Sequence, residues 1–217
     1  MKKILLGAVV LSTSVMAQDI HFSQYTQSPL TMNPALAGAS KDIQVIINYK
    51  DQWKSVATPY KTSALSCDTR YAKKKWEKSF LGAGINLYND KAGDANMGTT
   101  QINLSLAYHV YIASSMTFGG GLQAGFVQKS IDYTKLQWGN QYDPSMGFNS
   151  ALPTGEPVVG NKFNYLDFAG GLAWTYGMDQ KTLSANDAFK AAAGIAMFHI
   201  NQPRQSFYNT KDDKLYQ

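Results

Sequence analysis

The chain has 217 residues, 20 Lys and Arg against 15 Asp and Glu, a formal charge of +5 and a single cysteine, Cys67. So mild an excess of positive charge argues against a nucleic-acid partner, and one cysteine excludes an internal disulfide, leaving sheet pairing and packing to hold the fold. His21, His109 and His199 fall in separate elements with no metal-ligand spacing, so neither a metal nor another cofactor is expected.

The first element is a leader. Lys2 and Lys3 form a basic start, ILLGAVVL a short apolar stretch, and Val15 and Ala17 the small side chains of a cleavage site. This pattern predicts a secretory signal peptide over residues 1–17, too short and wrongly flanked to persist as a membrane helix. Its removal puts Gln18 at the mature N terminus and lowers the formal charge from +5 to +3 by taking Lys2 and Lys3.

Next comes HFSQYTQSPLTMNPALAGAS, residues 21–40, without a single Asp, Glu, Lys or Arg. Pro29 and Pro34 bar regular helix and push their predecessors toward extended geometry, while Asn33-Pro34 and Gly38 signal turns. Residues 18–41 are therefore expected to form an N-terminal arm on the periplasmic side. Its prolines reduce the entropy lost on ordering. Phe22, Tyr25, Leu30, Met32 and Leu36 offer apolar contacts, and its polar groups suit a polar wall such as Gln101, Asn103, Ser105 and Gln123 would make. The arm is a candidate plug.

From residue 42 onward the dominant signal has period two. In QINLSLAYHVYI, residues 101–112, the even positions from Ile102 to Ile112 are apolar and the odd ones small or polar. The stretch after Met116 and FNYLDFAGGLAWTY, residues 163–176, repeat the alternation, and weaker copies cover 43–53, 60–71, 80–89 and 191–201. Seven strands of about ten residues match the length that crosses a bilayer. Tyr71, Tyr88, Tyr111, Tyr165 and Tyr176 near strand ends suggest an interfacial girdle, and Gly and Ala on the polar face suit a curved wall. The fold class expected is an all-β, antiparallel outer-membrane β-barrel, with a soluble sandwich adhesin as a weaker reading.

Residues 113–115 make a short turn and residues 130–162 a long connection, so the former is expected inside and the latter outside. Alternation then makes the lysine-rich run 73–78 a solvated periplasmic turn. Seven strands do not close a bacterial barrel, which has an even count, and the chain ends on the polar DDKLYQ. The barrel domain, residues 42–217, is therefore expected to be cut short at its C terminus.

No catalytic constellation stands out. GGGLQAG, residues 119–125, lies inside a strand and opens no helix, so it is no phosphate loop. Ser105, His109 and Asp167 share the polar face, where His109 reads as a lumenal hydrogen-bonding residue rather than a ligand. Lumenal charge is sparse (Lys50, Asp68, Lys129 and Asp167), which fits a narrow or plugged lumen better than an open porin.

The arm resembles the N-terminal signature of the PorP/SprF family of type IX secretion system outer-membrane proteins. The matching residues are Asp19, Phe22, Ser23, Gln24, Tyr25, Pro29, Asn33, Pro34, Ala35, Ala37 and Gly38, with Ile20 where the family usually has proline and Thr31 where it has an aromatic or aliphatic residue. Further echoes follow in family order: YNDKAG, with Asn89, Asp90, Lys91 and Gly93; Gln141; and FHINQPRQSF, with His199, Asn201, Gln202, Pro203 and Phe207. The resemblance implies a non-catalytic outer-membrane barrel of the type IX secretion and gliding machinery, supporting secretion or surface anchoring of large adhesins. It implies membrane lipids, secreted adhesin cargo and periplasmic ring components as partners. Phe22, Ser23, Gln24, Tyr25, Asn33, Pro34, Ala35 and Gly38 become candidate partner-binding or plug residues, and the two later motifs become loop candidates. The competing function is an outer-membrane channel for uptake of hydrophobic or small solutes.

Overall fold

A computed structural model describes residues 27–55, 58–71, 78–145, 147–156, 160–177 and 189–207. The leader, the signature residues Phe22, Ser23, Gln24 and Tyr25, residues 73–77 of the lysine-rich run and the final polar run lie outside the described residues.

Pro29 opens a single helical turn, α1 (Pro29–Met32), and Pro34 opens a 3-10 turn, Pro34–Leu36. Both prolines occupy first-turn positions, where the missing N–H costs nothing. The strands follow: β1 (Ile43–Gln52), β2 (Tyr60–Tyr71), β3 (Ser79–Ala92), β4 (Met97–Ala113) and β5 (Met116–Ser130). The long connection carries a two-residue-per-strand hairpin, β6 (Tyr142–Asp143) and β7 (Gly147–Phe148), before β8 (Lys162–Tyr176) and β9 (Ala191–Met197). Seven strands form one antiparallel sheet in the order β1-β2-β3-β4-β5-β8-β9. The sheet curls into a half-barrel. All seven expected strands are present. β4 begins at Met97, earlier than the alternation indicated, and β9 stops at Met197 rather than reaching Asn201.

The sheet is inside-out relative to a soluble protein. Along β4, Gln101, Asn103, Ser105, Ala107 and His109 are buried on the concave face, while Ile102, Leu104, Leu106, Tyr108, Val110 and Ile112 are exposed. β5 and β8 continue both faces: Gln123 and Asp167 are buried, whereas Phe118, Leu122, Phe126, Leu166, Phe168 and Leu172 are exposed. In water this arrangement would expose the apolar surface whose removal drives folding; against hydrocarbon it is the low-energy one. No helix among the described residues is long and apolar enough to cross a membrane, which says nothing against crossing by strands. The sandwich reading requires apolar residues between two sheets, and the concave face instead collects the polar ones.

The aromatic girdle needs correction. Tyr71 and Tyr176 have the parity of the outer face. Tyr88, Tyr111 and Tyr165 share the parity of Gln101, His109 and Asp167 and face the interior. There the Tyr88 hydroxyl donates to Gln101, and Tyr111 packs its ring 5.5 Å from that of Phe80. Strand-end position alone does not choose a face; parity does.

Leu106 is 68 % exposed on the outer face. Leu106→Arg is expected to cost about 2–4 kcal/mol in denaturant unfolding from phospholipid vesicles, whereas Asn48→Arg, on the concave face of β1, should cost under about 1 kcal/mol. Equal small effects at both positions would contradict a lipid-facing outer surface.

Candidate functional site

The arm lies on the concave wall. Ser28, Leu30, Asn33, Pro34, Ala35, Ala37, Gly38 and Ala39 are buried, Leu36 is half-buried and Met32 is exposed. Sheet register explains where it can rest. Arg70, Gly82, Ala107, Gly121, Gly171 and Ala196 lie opposite one another across consecutive strands from β2 to β9, a transverse row with almost no side-chain height in its middle. The arm crosses the strands along this row. A Cβ on Gly82 would fall on the carbonyl of Ala37, one on Gly121 would lie 2.5 Å from the nitrogen of Ala35, and one on Gly171 would collide with the Asn33 amide. α1 sits beside the row, where a Cβ on Gly84 would lie 2.8 Å from Leu30 Cδ1.

Two clusters hold the ends. At the β2–β3 end, the Asp68 carboxylate accepts from the Gly38 N–H (2.9 Å). Arg70 donates from Nε to the Gly38 carbonyl (2.8 Å) and from a terminal nitrogen to that of Ala39 (2.9 Å). The guanidinium lies 4.3 Å from the centre of the Phe80 ring, which itself stacks on His109 at 4.5 Å. His109 Nε2–H donates to the Ala37 carbonyl (2.8 Å), with the carbonyl fixing the tautomer. Gly38 has φ +66°, a left-handed turn that lets the chain leave the wall for β1.

At the β8–β9 end one side chain does the work. Asn33 Oδ1 accepts from the Ala35 N–H (2.9 Å), capping the 3-10 turn, while Nδ2 donates to the carbonyls of Leu172 (3.0 Å) and Ile195 (3.3 Å). Between the clusters Gln123 reaches the Leu30 carbonyl at 3.5 Å and donates to Ser105 at 2.9 Å. Gln101 donates to Asn103. Of the four wall residues expected to pair with the arm, Gln123 does so at Leu30, whereas Gln101 bonds Asn103 and Ser105 bonds Gln123; the firmer grip on the main chain comes from Asp68, Arg70 and His109. Arg70 carried no reading in the sequence, although its parity with Asp68 already placed it on the inner face.

The later motifs lie elsewhere. Asn89, Asp90, Lys91 and Gly93 form the end of β3 and its turn: Asn89 donates to Thr100 (2.7 Å), Asp90 accepts from Thr62, and Gly93 has φ +64°. They do not meet the arm seat. The stretch around His199 instead finishes the β8 edge. His199 Nδ1 lies 2.9 Å from the Asp167 carboxylate, and the Ile200 N–H donates to the Phe168 carbonyl (3.0 Å). Asn201 accepts from the Phe168 N–H (3.1 Å) and donates to the Leu166 carbonyl (2.7 Å). Left-handed His199 and Gln202 bend the chain there, Pro203 is buried, and Phe207 packs its ring 4.7 Å from that of Phe163. Gln141 knits the long loop, accepting from Trp138 N–H and donating to the Leu152 carbonyl.

Ser105, His109 and Asp167 are bonded to other groups, Gln123, the Ala37 carbonyl and His199 respectively. Among the described residues no group of three His, Cys, Asp or Glu is placed to hold a metal ion.

The family model described as type IX secretion system membrane protein PorP/SprF matches residues 14–217. No curated protein and no solved structure matches the chain.

The glycine pair 120/121 separates seat from wall. Gly121→Val should release the arm to limited proteolysis between residues 33 and 39. Gly120→Val faces outward, where its Cβ would meet only Leu172 Cδ2 at 3.4 Å, and should leave the arm protected. Strand content by circular dichroism should be unchanged in both.

Proposed function

The chain belongs to the PorP/SprF family of type IX secretion system membrane proteins, and on that premise we propose that it is a non-catalytic outer-membrane barrel supporting secretion or surface anchoring of large adhesins, as in gliding machinery. Residues 18–41 act as its lumenal plug. The observation that carries this reading is the arm laid across the concave wall from β2 to β9, its main chain gripped by Asp68, Arg70 and His109 and its far end tied by Asn33. A diffusion channel needs that space open; a docking and secretion partner does not. In this topology the arm lies at the periplasmic mouth, where Phe22, Ser23, Gln24 and Tyr25 would meet the periplasmic ring components. The β5–β8 connection lies outside, where it would meet adhesin cargo, and the apolar outer face meets membrane lipids.

A strain expressing the chain without residues 28–39, leader retained, should still insert a heat-modifiable barrel while surface and secreted adhesins disappear. Undiminished adhesin display would reject the secretion role. Loss of small-solute uptake with normal display would favour the channel.

Sidedness is read separately. Ser145 is exposed in the β5–β8 connection and Lys78 is exposed in the turn immediately before β3. In a Cys67→Ser background, Ser145→Cys should react with an impermeant maleimide on intact cells and Lys78→Cys should not. Reversed labelling would invert the topology.

A further inference from the structure

We infer that the row from Arg70 to Ala196 is a peptide-binding site that reads main chain, and that the arm is its exchangeable occupant, replaceable by an uncharged, small-residue segment of another polypeptide. This rests on the reading of the arm as a lumenal plug but not on the secretion role.

The contacts point that way. The wall's grip on the arm goes to peptide groups: the N–H of Gly38 and the carbonyls of Ala37, Gly38, Ala39 and Leu30. Main-chain groups are common to every polypeptide, so these bonds do not themselves demand the arm's sequence. Selection comes from two other features. Gly82 and Gly121 bring the visiting backbone so close to the wall that only small residues fit where Ala35 and Ala37 now sit. Asn33 is the exception in the opposite sense, a side chain of the occupant reading main chain of the wall at Leu172 and Ile195. Asparagine is suited to this place because its Oδ1 caps Ala35 while its Nδ2 donates to two carbonyls; aspartate would set a charged acceptor against them. The ligand class is thus Asn-Pro-small-x-small-Gly, uncharged and presented in a turn rather than as an added strand. The arm holds the site because it is tethered through residues 40–42, which gives an intramolecular ligand an effective concentration on the order of millimolar. Cutting the tether removes that advantage without removing any contact.

The experiment uses the folded full chain, with a specific protease sequence inserted after Ser40 and a fluorophore on Met32→Cys in a Cys67→Ser background, Met32 being exposed. After cleavage in detergent the labelled arm should stay bound, then be displaced by excess unlabelled peptide of residues 27–40. A peptide with Leu36→Gln, at the half-buried position between the two small residues, should compete within about threefold, because main chain is what is read. Peptides with Asn33→Asp or Ala35→Leu should be at least about tenfold weaker, since they lose the two carbonyl bonds or overfill the seat. Uncleaved protein should show no exchange. A cut arm that leaves at once and does not rebind, or one that no peptide displaces, would overturn the inference. Normal exchange in a protein whose arm deletion leaves adhesin display intact would sustain the peptide site while removing the secretion role.

Discussion

A peptide backbone can lie directly on a β-sheet only where the sheet presents no side chains, and much of this structure follows from that constraint. Gly82, Gly121 and Gly171, in register with Ala107, clear a transverse track across the concave wall. The track admits the arm at van der Waals distance but buries its peptide groups. A buried backbone group without a partner forfeits most of a hydrogen bond's worth of free energy. Asp68, Arg70 and His109 therefore belong to the same design as the glycines: the glycines make the approach possible and the polar cluster makes it tolerable. Arg70, itself buried, is stabilised by two carbonyls and the face of Phe80, with Asp42 at its outer edge 3.9 Å away.

Sheet architecture was legible because period two survives wherever one face meets hydrocarbon and the other a crowded interior. Ile102 to Ile112 and Phe168 to Leu172 announce it plainly. The glycines at 82, 121 and 171 were legible as small residues on the inner face, and curvature was the available explanation. Their true neighbours, Ala37, Ala35 and Asn33, are 45 to 138 positions distant in the chain, and no local pattern carries that. Arg70 was invisible for a related reason, since its parity places it inside but its partners Gly38 and Ala39 belong to another element. Asn33-Pro34 was readable as a turn, and the turn is there, capped by Asn33 itself. The bonds to Leu172 and Ile195 needed the fold. The tyrosines erred in the other direction, because strand-end position was given more weight than the parity that the same segments displayed.

Sparse lumenal charge gains a physical reason from the arm. An open aqueous pore can hydrate many ionised groups, whereas a wall covered by backbone must pair each one. Asp68 meets the Gly38 N–H, Asp167 meets His199, and Arg70 meets two carbonyls. Much of the inner face is lined with amides and hydroxyls that bond one another, as in Gln101 with Tyr88 and Asn103 and in Thr117 with Thr175. Asn86, opposite Asn103 and fully buried, is the exception among the described residues, with neither end of its amide bonded.

Two asparagines at opposite ends of the chain solve a common problem by the same means. A primary amide carries one carbonyl and one N–H₂ group, the same functions as a peptide unit, so asparagine can stand in for backbone where backbone cannot reach. Asn33 places its amide between β8 and β9, bonding to Leu172 and Ile195, whose register pairs them directly. Asn201 does the corresponding thing at the outer edge of β8, accepting from Phe168 N–H and donating to the Leu166 carbonyl where the ladder with β9 has already ended at Met197. After the left-handed turn at His199 the main chain keeps one bond to β8, from Ile200 N–H to the Phe168 carbonyl, so without Asn201 the Phe168 N–H and the Leu166 carbonyl would be left open. The resemblance at FHINQPRQSF and at the NPA of the arm therefore converges on one strand. The Asn33 amide bonds β8 and β9 where they pair, and the Asn201 amide bonds β8 beyond the end of that ladder, so two stretches far apart in sequence meet on one strand.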